Sequence, residues 1–398
     1  MNYDTLLSDQ VKKMKPSGIR KFFDLAAMME GVISLGVGEP DFQTPWTVRK
    51  AAVDSLERKR MVYTANSGMA DLRKEICHYL NRKYHLTYHP ENETLVTVGG
   101  SEAIDLAIRA TVNPGDEVLL PAPYWVSYYE LIKMAGATPV LVTATEENGY
   151  LVTAQQLRDA ITDKTKALIL NSPCNPTGAV YPDGRLMEIA ALAVEKDIYV
   201  ISDEIYECLV YDGAVHTSIA SFGPEIKNLT VVVNGLSKAY AMTGWRIGYT
   251  ASNRRIATAM ANFQSHATSN ANSIAQAASI AALDGDKNEQ RSMISEFSRR
   301  RQYMMARISA INGINAVNPR GAFYIFANIS GLFGKSCDGH IINSAMDFSS
   351  LLLEKANVAV VPGEAFGDAR CIRLAYATDM QSIIKAMDRI EGFVNSLT

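Results

Sequence analysis

The middle of the chain alternates short runs of β-branched and other apolar residues with longer amphipathic stretches. Seven of the runs have the length of strands: residues 93–98, 117–121, 138–142, 167–170, 198–203, 230–233 and 246–250. Helical spacing lies between several of them, as at residues 101–110 and 185–195. Strands that alternate with helices are typical of an α/β layer built on a mainly parallel sheet. The pattern therefore predicts an α/β fold with a mainly parallel seven-stranded sheet.

The last third of the chain has a different pattern. One long helical stretch at residues 287–311 is followed by shorter segments of both types. These are predicted strands at 322–328, 358–361 and 372–376 and predicted helices at 344–355 and 380–394. We therefore expect a large domain at residues 46–286 and a smaller, discontinuous α+β domain made of residues 1–45 with 287–398.

Composition and charge narrow the class of protein. The 398 residues carry 39 Lys and Arg against 42 Asp and Glu, a net charge of −3 that offers no basic surface to nucleic acid. No long apolar run or secretory signal is visible, so we expect no membrane contact. The five cysteines form no CxxC pair, which favours a reducing cytoplasm, and the six histidines lack metal-ligand spacing.

Polar, glycine-rich or proline-rich segments follow five of the predicted strands. They are residues 99–101, 121–125, 171–178, 202–204 and 234–238. Ligands of open parallel sheets bind beyond the carboxyl ends of the strands, so these segments are expected to meet at one crevice. Ordinary turns explain the glycines and prolines, but they do not explain a lysine and a tryptophan in such places.

Each polar residue also has an ordinary interpretation. Ser101 precedes a helical stretch whose N–H groups could attract phosphate, and it could equally be a plain helix N-cap. Lys238 could be a surface lysine, or a desolvated amine with a lowered pKa that reacts with a carbonyl group. Asp203 could be a helix cap or half of an ion pair, and Arg246 could be a surface charge.

Taken together, the segments resemble the aspartate-aminotransferase family of fold-type I enzymes, which use pyridoxal phosphate. The likeness is carried, in the family's order, by residues 36–42, 63–68, 123–128, 171–178, 202–206, 237–249 and 373–377. The most similar subgroup contains the bacterial and archaeal aspartate, aromatic and alanine aminotransferases with a short N-terminal arm. The resemblance implies the fold of pyridoxal-phosphate-dependent transferases.

The resemblance also implies roles around the cofactor. Lys238 would hold pyridoxal phosphate covalently and act as the acid and base, and Asp203 would face the ring nitrogen. Tyr206 and Asn175 would bind the phenolic oxygen, and Trp125 would stack on the ring. The phosphate would be bound by Gly100, Ser101, Ser237 and Arg246, and by Tyr63 from a neighbouring subunit. A homodimer with shared active sites is therefore expected.

For the substrate, the resemblance places Arg373 on the α-carboxylate, helped by Asn175 and the backbone of Gly38. Trp125 would also contact the substrate, and the arm residues Ile19 and Phe22 are candidate contacts for its side chain. Some aspartate-specific members have a lysine where this chain has Ser101. The amino donor therefore stays open among aspartate, an aromatic amino acid and alanine.

The expected activity is transfer of an amino group from an L-amino acid to a 2-oxo acid, with 2-oxoglutarate as the expected acceptor, by a ping-pong mechanism. The alternative enzyme is a C–S lyase of the cystathionine β-lyase type, which uses the same Lys, Asp and Arg. An effector-sensing regulator would carry a DNA-binding domain, but fewer than 40 residues precede Gly36. A nucleotide-binding dehydrogenase would need a GxGxxG segment, which residues 98–100 do not provide.

Overall fold

The computed structural model describes residues 6–8, 11–12, 29–58 and 61–398. The predicted substrate contacts Ile19 and Phe22 lie outside these residues. The α-helices described are α1 (Trp46–Arg58), α2 (Ala70–Tyr84), α3 (Gly99–Thr111), α4 (Val126–Met134), α5 (Ala154–Ala160), α6 (Asp183–Lys196), α7 (Pro224–Leu229), α8 (Arg254–Ala267), α9 (Ser273–Asp284), α10 (Asn288–Ala310), α11 (Ala345–Ala356) and α12 (Met380–Asn395).

The strands of the large sheet are those that the apolar runs predict. They are β2 (Thr94–Val98), β3 (Glu117–Ala122), β4 (Thr138–Thr143), β5 (Thr165–Asn171), β6 (Tyr199–Asp203), β7 (Thr230–Gly235) and β8 (Ile247–Ala251), preceded by the short β1 (Ile33–Ser34). Their bounds differ from the predicted ones by at most two residues. β7 and β8 are buried along their whole length, because elements cover both faces of the sheet centre.

These seven strands form one sheet in the order β2-β8-β7-β6-β5-β3-β4. β8 runs antiparallel to its neighbours β2 and β7, and the remaining pairs are parallel. The prediction of a mainly parallel seven-stranded sheet is confirmed. From β3 the chain continues to β4 on one side of the sheet, and from β5 it continues to β6 on the other side. The switch point of the sheet therefore lies between β3 and β5, where a crevice opens at the carboxyl ends of the strands.

The last part of the chain builds a second, antiparallel sheet. Its strands run in the order β14 (Val361–Pro362), β15 (Cys371–Ala375), β10 (Tyr324–Asn328) and β9 (Asn315–Ala316). A short hairpin joins β11 (Ser336–Cys337) to β12 (His340–Ile341). β1 pairs in parallel with β13 (Val358–Ala359), so residues near the start of the chain lie beside its C-terminal part. The division into domains at residues 46 and 286 stays a prediction.

Helix α10 shows how the sequence pattern sets the packing of this region. It lies within the predicted stretch 287–311, and it buries Phe297, Met304 and Ile308 at the spacing of one helix face. No helix in the described ranges is long and apolar enough to cross a membrane. Among the same residues, no group of three or more His, Cys, Asp or Glu side chains is placed to hold a metal ion.

Candidate active site

A cavity of about 280 Å³ opens at the carboxyl ends of the large sheet, beside β10 and β15. All five polar segments that follow predicted strands contribute to its wall. The residues predicted from the sequence that line it are Gly38, Gly100, Ser101, Trp125, Asn175, Asp203, Tyr206, Ser237, Lys238, Arg246 and Arg373. The wall also contains Gly36, Ile104, Tyr128, Asn171, Ile205 and Tyr324, to which the sequence analysis gives no role.

Lys238 lies three residues beyond the end of β7, and its side chain enters the cavity. Nζ donates a 2.7 Å hydrogen bond to the carbonyl oxygen of Gly38. Burial lowers the pKa of the Lys238 amine to about 8, because the charged form is desolvated, and the charge of Glu39 only partly offsets this. About a tenth of the amine is therefore neutral at pH 7, far more than for an ordinary lysine, and a nucleophile or base acts in that form.

Asp203 is the last residue of β6 and is buried beneath the same cavity. Its Oδ2 accepts a hydrogen bond of 2.5 Å from the hydroxyl of Tyr128, and Oδ1 accepts one of 3.1 Å from the backbone N–H of Ile205. Burial raises the pKa of Asp203 to about 6, and these two hydrogen bonds limit the rise. The carboxylate is therefore ionised at neutral pH, and no described cation forms an ion pair with it.

The N-terminus of α3 and Arg246 form one side of the cavity. The helix begins at Gly99 with Val98 as its N-cap, so the interpretation of Ser101 as a plain N-cap is wrong. Gly99 has φ +75°, and a Cβ there would lie 2.4 Å from Nη2 of Arg246. The missing side chain thus lets the guanidinium approach the first helical turn, whose free N–H groups favour an anion such as phosphate.

The cavity wall also carries Arg373, from β15. Nη1 donates to Oδ1 of Asn175 at 2.9 Å and Nη2 to the carbonyl oxygen of Gly36 at 2.7 Å. Nε is buried without a hydrogen-bond partner, and no described carboxylate lies within ion-pair distance of this guanidinium. Burial lowers the pKa of Arg373. A buried cation without a counter-charge indicates that the cavity is built to receive an anion.

Three other predicted residues, Tyr206, Trp125 and Tyr63, differ in their surroundings. The hydroxyls of Tyr206 and Tyr324 lie 2.9 Å apart. Trp125 immediately precedes α4, and its ring meets that of Tyr128 edge-on, with centroids 5.2 Å apart. Tyr63 is 89% exposed and does not line the cavity of its own chain. Its predicted contact with the phosphate of a neighbouring subunit stays a prediction.

Two tyrosines of the cavity wall, Tyr128 and Tyr324, received no role from the sequence. Tyr128 stands three residues after Trp125, in the first turn of α4. The available signal was its place in the segment 123–128, which carries the family resemblance. Tyr324 opens a strand that the apolar pattern predicts, and it carries no local mark of a functional residue. Its place in the cavity follows from the pairing of β10 with β15, which is 51 residues away in sequence (324 to 375).

The chain is similar to a known family of enzymes over most of its length. The sequence model of the family described as aminotransferase class I and II matches residues 30–390. An aspartate aminotransferase from Bacillus sp. (strain YM-2) is 44% identical over 393 residues, which cover 98% of this chain and 99% of the relative. The chain belongs to the class I and II aminotransferases.

Solved structures give the same result. The crystal structure of the aspartate aminotransferase from Rhizobium meliloti superimposes with a TM-score of 0.96 at 39% identity, covering 98% of this chain and 99% of that one. The aromatic aminotransferase from Pyrococcus horikoshii OT3 gives a TM-score of 0.87 at 38% identity, with 95% and 98% covered. The predicted transferase fold is confirmed, and the comparisons give no support to the lyase, the regulator or the dehydrogenase.

The enzyme is therefore an aminotransferase with pyridoxal phosphate as its cofactor. The cavity fits this group on three counts. It offers an amine of lowered pKa at Lys238, a buried carboxylate at Asp203, and a glycine-lined helix N-terminus beside Arg246 for a phosphate. The guanidinium of Arg373, which has no described carboxylate partner, remains for a second anion, as an amino acid substrate requires.

Proposed function

We propose that this enzyme transfers the amino group of L-aspartate to 2-oxoglutarate. The observation that carries the proposal is Arg373, a buried guanidinium without a counter-charge in the same cavity as the Lys238 amine. Such a pair suits a substrate with a carboxylate next to its reacting carbon. Aspartate is favoured as the amino donor because the relatives from Bacillus and Rhizobium are named aspartate aminotransferases.

In this proposal pyridoxal phosphate supplies an aldehyde carbon that takes up the amino group and a ring that withdraws electrons. Lys238 would hold the cofactor covalently in the resting enzyme. Its freed Nζ would be the base that takes the proton from the α-carbon of the substrate and the acid that gives a proton back. The lowered pKa of this amine supports the role of base.

Asp203, Tyr206, Asn175 and Trp125 hold the cofactor ring. Asp203 keeps a proton on the ring nitrogen, for which its buried carboxylate with two fixed donors is well suited. Tyr206 and the side chain of Asn175 would bind the phenolic oxygen of the ring. Trp125 would stack on the ring and exclude water from it.

The phosphate is bound by the first turn of α3 and the loop after β7. Its contacts are Gly100, Ser101, Ser237 and Arg246, all of which line the cavity. Arg246 contributes a charge-assisted pair of hydrogen bonds. The guanidinium of Arg246 packs closely against Gly99, where a Cβ would otherwise lie, and this closeness to the helix start supports the phosphate contact.

The substrate lies between Lys238 and Arg373. Arg373 binds the α-carboxylate, with Asn175 and the backbone of Gly38 beside it. The cations that line the cavity in the described part of the chain are Lys238, Arg246 and Arg373. The side-chain carboxylate of aspartate therefore needs a partner from the N-terminal arm, from a second copy, or from neutral donors such as Ser101.

The proposal includes a homodimer with shared active sites. Helix α1 and the segment after it expose apolar side chains, namely Trp46, Val53, Leu56 and Val62, each 48–57% accessible. Several exposed apolar side chains in one stretch of the chain support contact with a second copy. Tyr63 projects from the same segment and reaches the phosphate site of the other copy. A cytoplasmic location completes the proposal, supported by five cysteines that are all free thiols.

A panel of L-amino acids with 2-oxoglutarate, read out as glutamate, tests the function. Aspartate should give the highest kcat/KM, and the two half-reactions should follow ping-pong kinetics. Preference for an aromatic amino acid or alanine would overturn the assignment of the donor. Release of ammonia and pyruvate from cystathionine without an oxo acid would indicate the lyase instead.

A further inference from the structure

Tyr324 contacts both ends of the cavity and has no role in the function proposed above. Its side chain is 1% exposed. The hydroxyl lies 2.9 Å from the hydroxyl of Tyr206, which the proposal places at the cofactor. The face of the ring lies under Arg373, with Cζ 4.4 Å from the ring centroid. One side chain thus bridges the cofactor end and the carboxylate end of the site.

The sheet register fixes this position. In the antiparallel pair of β10 and β15, Tyr324 is opposite Ala375 and Phe326 is opposite Arg373. Tyr324 and Arg373 are therefore diagonal neighbours on one face of the sheet, where an aromatic ring and a long side chain meet. The favourable contact of a guanidinium with the ring face adds to this arrangement.

Gly38 also restricts the position of the Tyr324 hydroxyl. A Cβ at Gly38 would lie 2.6 Å from the Tyr324 hydroxyl oxygen, so only glycine leaves room for it. The carbonyl of the same residue accepts the hydrogen bond from Lys238. The hydroxyl of Tyr324 is thus held between Gly38 and Tyr206, and Gly38 in turn contacts the base of the reaction.

Each tyrosine hydroxyl has one proton to donate. Tyr206 can donate to the cofactor oxygen only if Tyr324 is the donor in the hydrogen bond between the two tyrosines. A hydroxyl that accepts one hydrogen bond becomes a better donor in the next. We propose that Tyr324 is a positioning residue that donates to Tyr206 and supports Arg373 with its ring; this rests on the proposed function of those two residues.

The two contacts of Tyr324 can be removed separately. Tyr324→Phe keeps the ring under Arg373 and removes the hydroxyl, whereas Tyr324→Leu removes both. The first measurement is the pH titration of the cofactor absorbance in the holoenzyme. A weaker donor at Tyr206 stabilises the phenolate oxygen of the cofactor less. Tyr324→Phe should therefore raise the titration midpoint by roughly half a pH unit to one unit.

The second measurement is the dissociation constant of succinate, an unreactive dicarboxylate. Tyr324→Phe should leave it within about twofold of wild type, because the ring remains beneath the guanidinium. Tyr324→Leu should weaken it roughly 2- to 30-fold through loss of the cation–π contact. The predicted result is thus a split, with the titration sensitive to the hydroxyl and the carboxylate affinity sensitive to the ring.

Tyr376→Phe is the matched control. Tyr376 is a fully buried tyrosine of the same region whose hydroxyl donates to the carbonyl of Ala322 and does not line the cavity. This variant should leave both measurements unchanged. An unchanged or lowered midpoint in Tyr324→Phe, with wild-type folding by thermal melting, would overturn the proposed donor role. If wild type itself shows no cofactor titration, the proposed function fails, and the two failures are therefore distinguishable.

Discussion

The hydroxyl of Tyr128 is 2.5 Å from Oδ2 of Asp203, so a tyrosine from the helix after β3 supports the carboxylate at the end of β6. The contact crosses β5, which lies between these strands in the sheet. Tyr128 is 1% exposed, so water does not compete for the hydrogen bond. The donor stabilises the ionised carboxylate against the effect of burial.

Loss of this donor should be visible in the pH dependence of the reaction. Tyr128→Phe removes the hydrogen bond to Asp203 and raises the pKa of its carboxyl further. The acid limb of the kcat/KM profile should move up by roughly half a unit to one unit. Tyr129→Phe, on the same helix and outside the cavity wall, should leave the profile unchanged. Identical acid limbs in wild type and Tyr128→Phe would contradict the role given to this hydroxyl.

At pH values above the pKa of Asp203, the buried carboxylate of this residue should lower the free energy of unfolding of the apoenzyme. Its pKa rises from the ordinary 3.8 to about 6 on folding, so between these values the folded state binds more protons than the unfolded state. The free energy of unfolding then falls as pH rises through this window and stays low above it. Asp203→Asn has no carboxyl to ionise, so its free energy of unfolding does not fall in this way. Its apoenzyme should be more stable than wild type at pH 7.5, by up to about 3 kcal/mol.

Urea unfolding of both apoenzymes at pH 7.5 and pH 4 measures the effect. The advantage of Asp203→Asn should shrink at the lower pH, while its activity with bound cofactor is greatly reduced at both. A stability difference that is the same at the two pH values would show that burial does not raise the pKa of this carboxyl.

Arg373→Lys tests the carboxylate contact. Lysine keeps the charge but cannot donate to Asn175, to Gly36 and to a substrate carboxylate with one planar group. KM for the amino donor should rise roughly 10- to 100-fold, with a smaller change in kcat. Arg370→Lys, an exposed arginine paired with Asp368, is the control and should behave as wild type. Equal KM values for wild type and Arg373→Lys would place the carboxylate elsewhere.

Gly248→Ala tests the phosphate end of the cavity. A Cβ at Gly248 on β8 would lie 2.5 Å from the carbonyl carbon of Gly99 and 2.6 Å from the backbone nitrogen of Gly100. The start of α3 must move, so pyridoxal phosphate should bind roughly tenfold more weakly or worse. Gly244→Ala meets no atom within 4 Å and is the matched control. Retained affinity in Gly248→Ala would mean that the helix start does not bind the phosphate.

Local patterns in the sequence predicted the sheet and the part of the cavity wall that follows its strands. The apolar runs identify the strands, and the polar segments at their carboxyl ends supply residues such as Asp203 and Lys238. Non-local pairing limits the rest. The predicted strand 358–361 is divided, because residues before Val360 pair with β1 and those after it pair with β15. The predicted strand at 322 begins at Tyr324, since Ala322 has a left-handed φ of 57°.

The contacts that define the reaction are equally non-local. Lys238 and the carbonyl of Gly38 are 200 residues apart in sequence, and Arg373 and Asn175 are 198 apart. The family resemblance supplied these four residues, but the hydrogen bonds between them come from the structure. The resemblance gave no role to Tyr128 or Tyr324, because their roles depend on helix phase and strand register in the folded chain.

The covalent attachment of the cofactor to Lys238 is the central claim, and peptide mapping after borohydride reduction of the holoenzyme tests it most directly. Mass spectrometry should find the reduced cofactor on the peptide that contains Lys238, and none on Lys238→Ala treated in the same way. Label on a different lysine, or no label on a wild-type protein saturated with pyridoxal phosphate, would contradict the account.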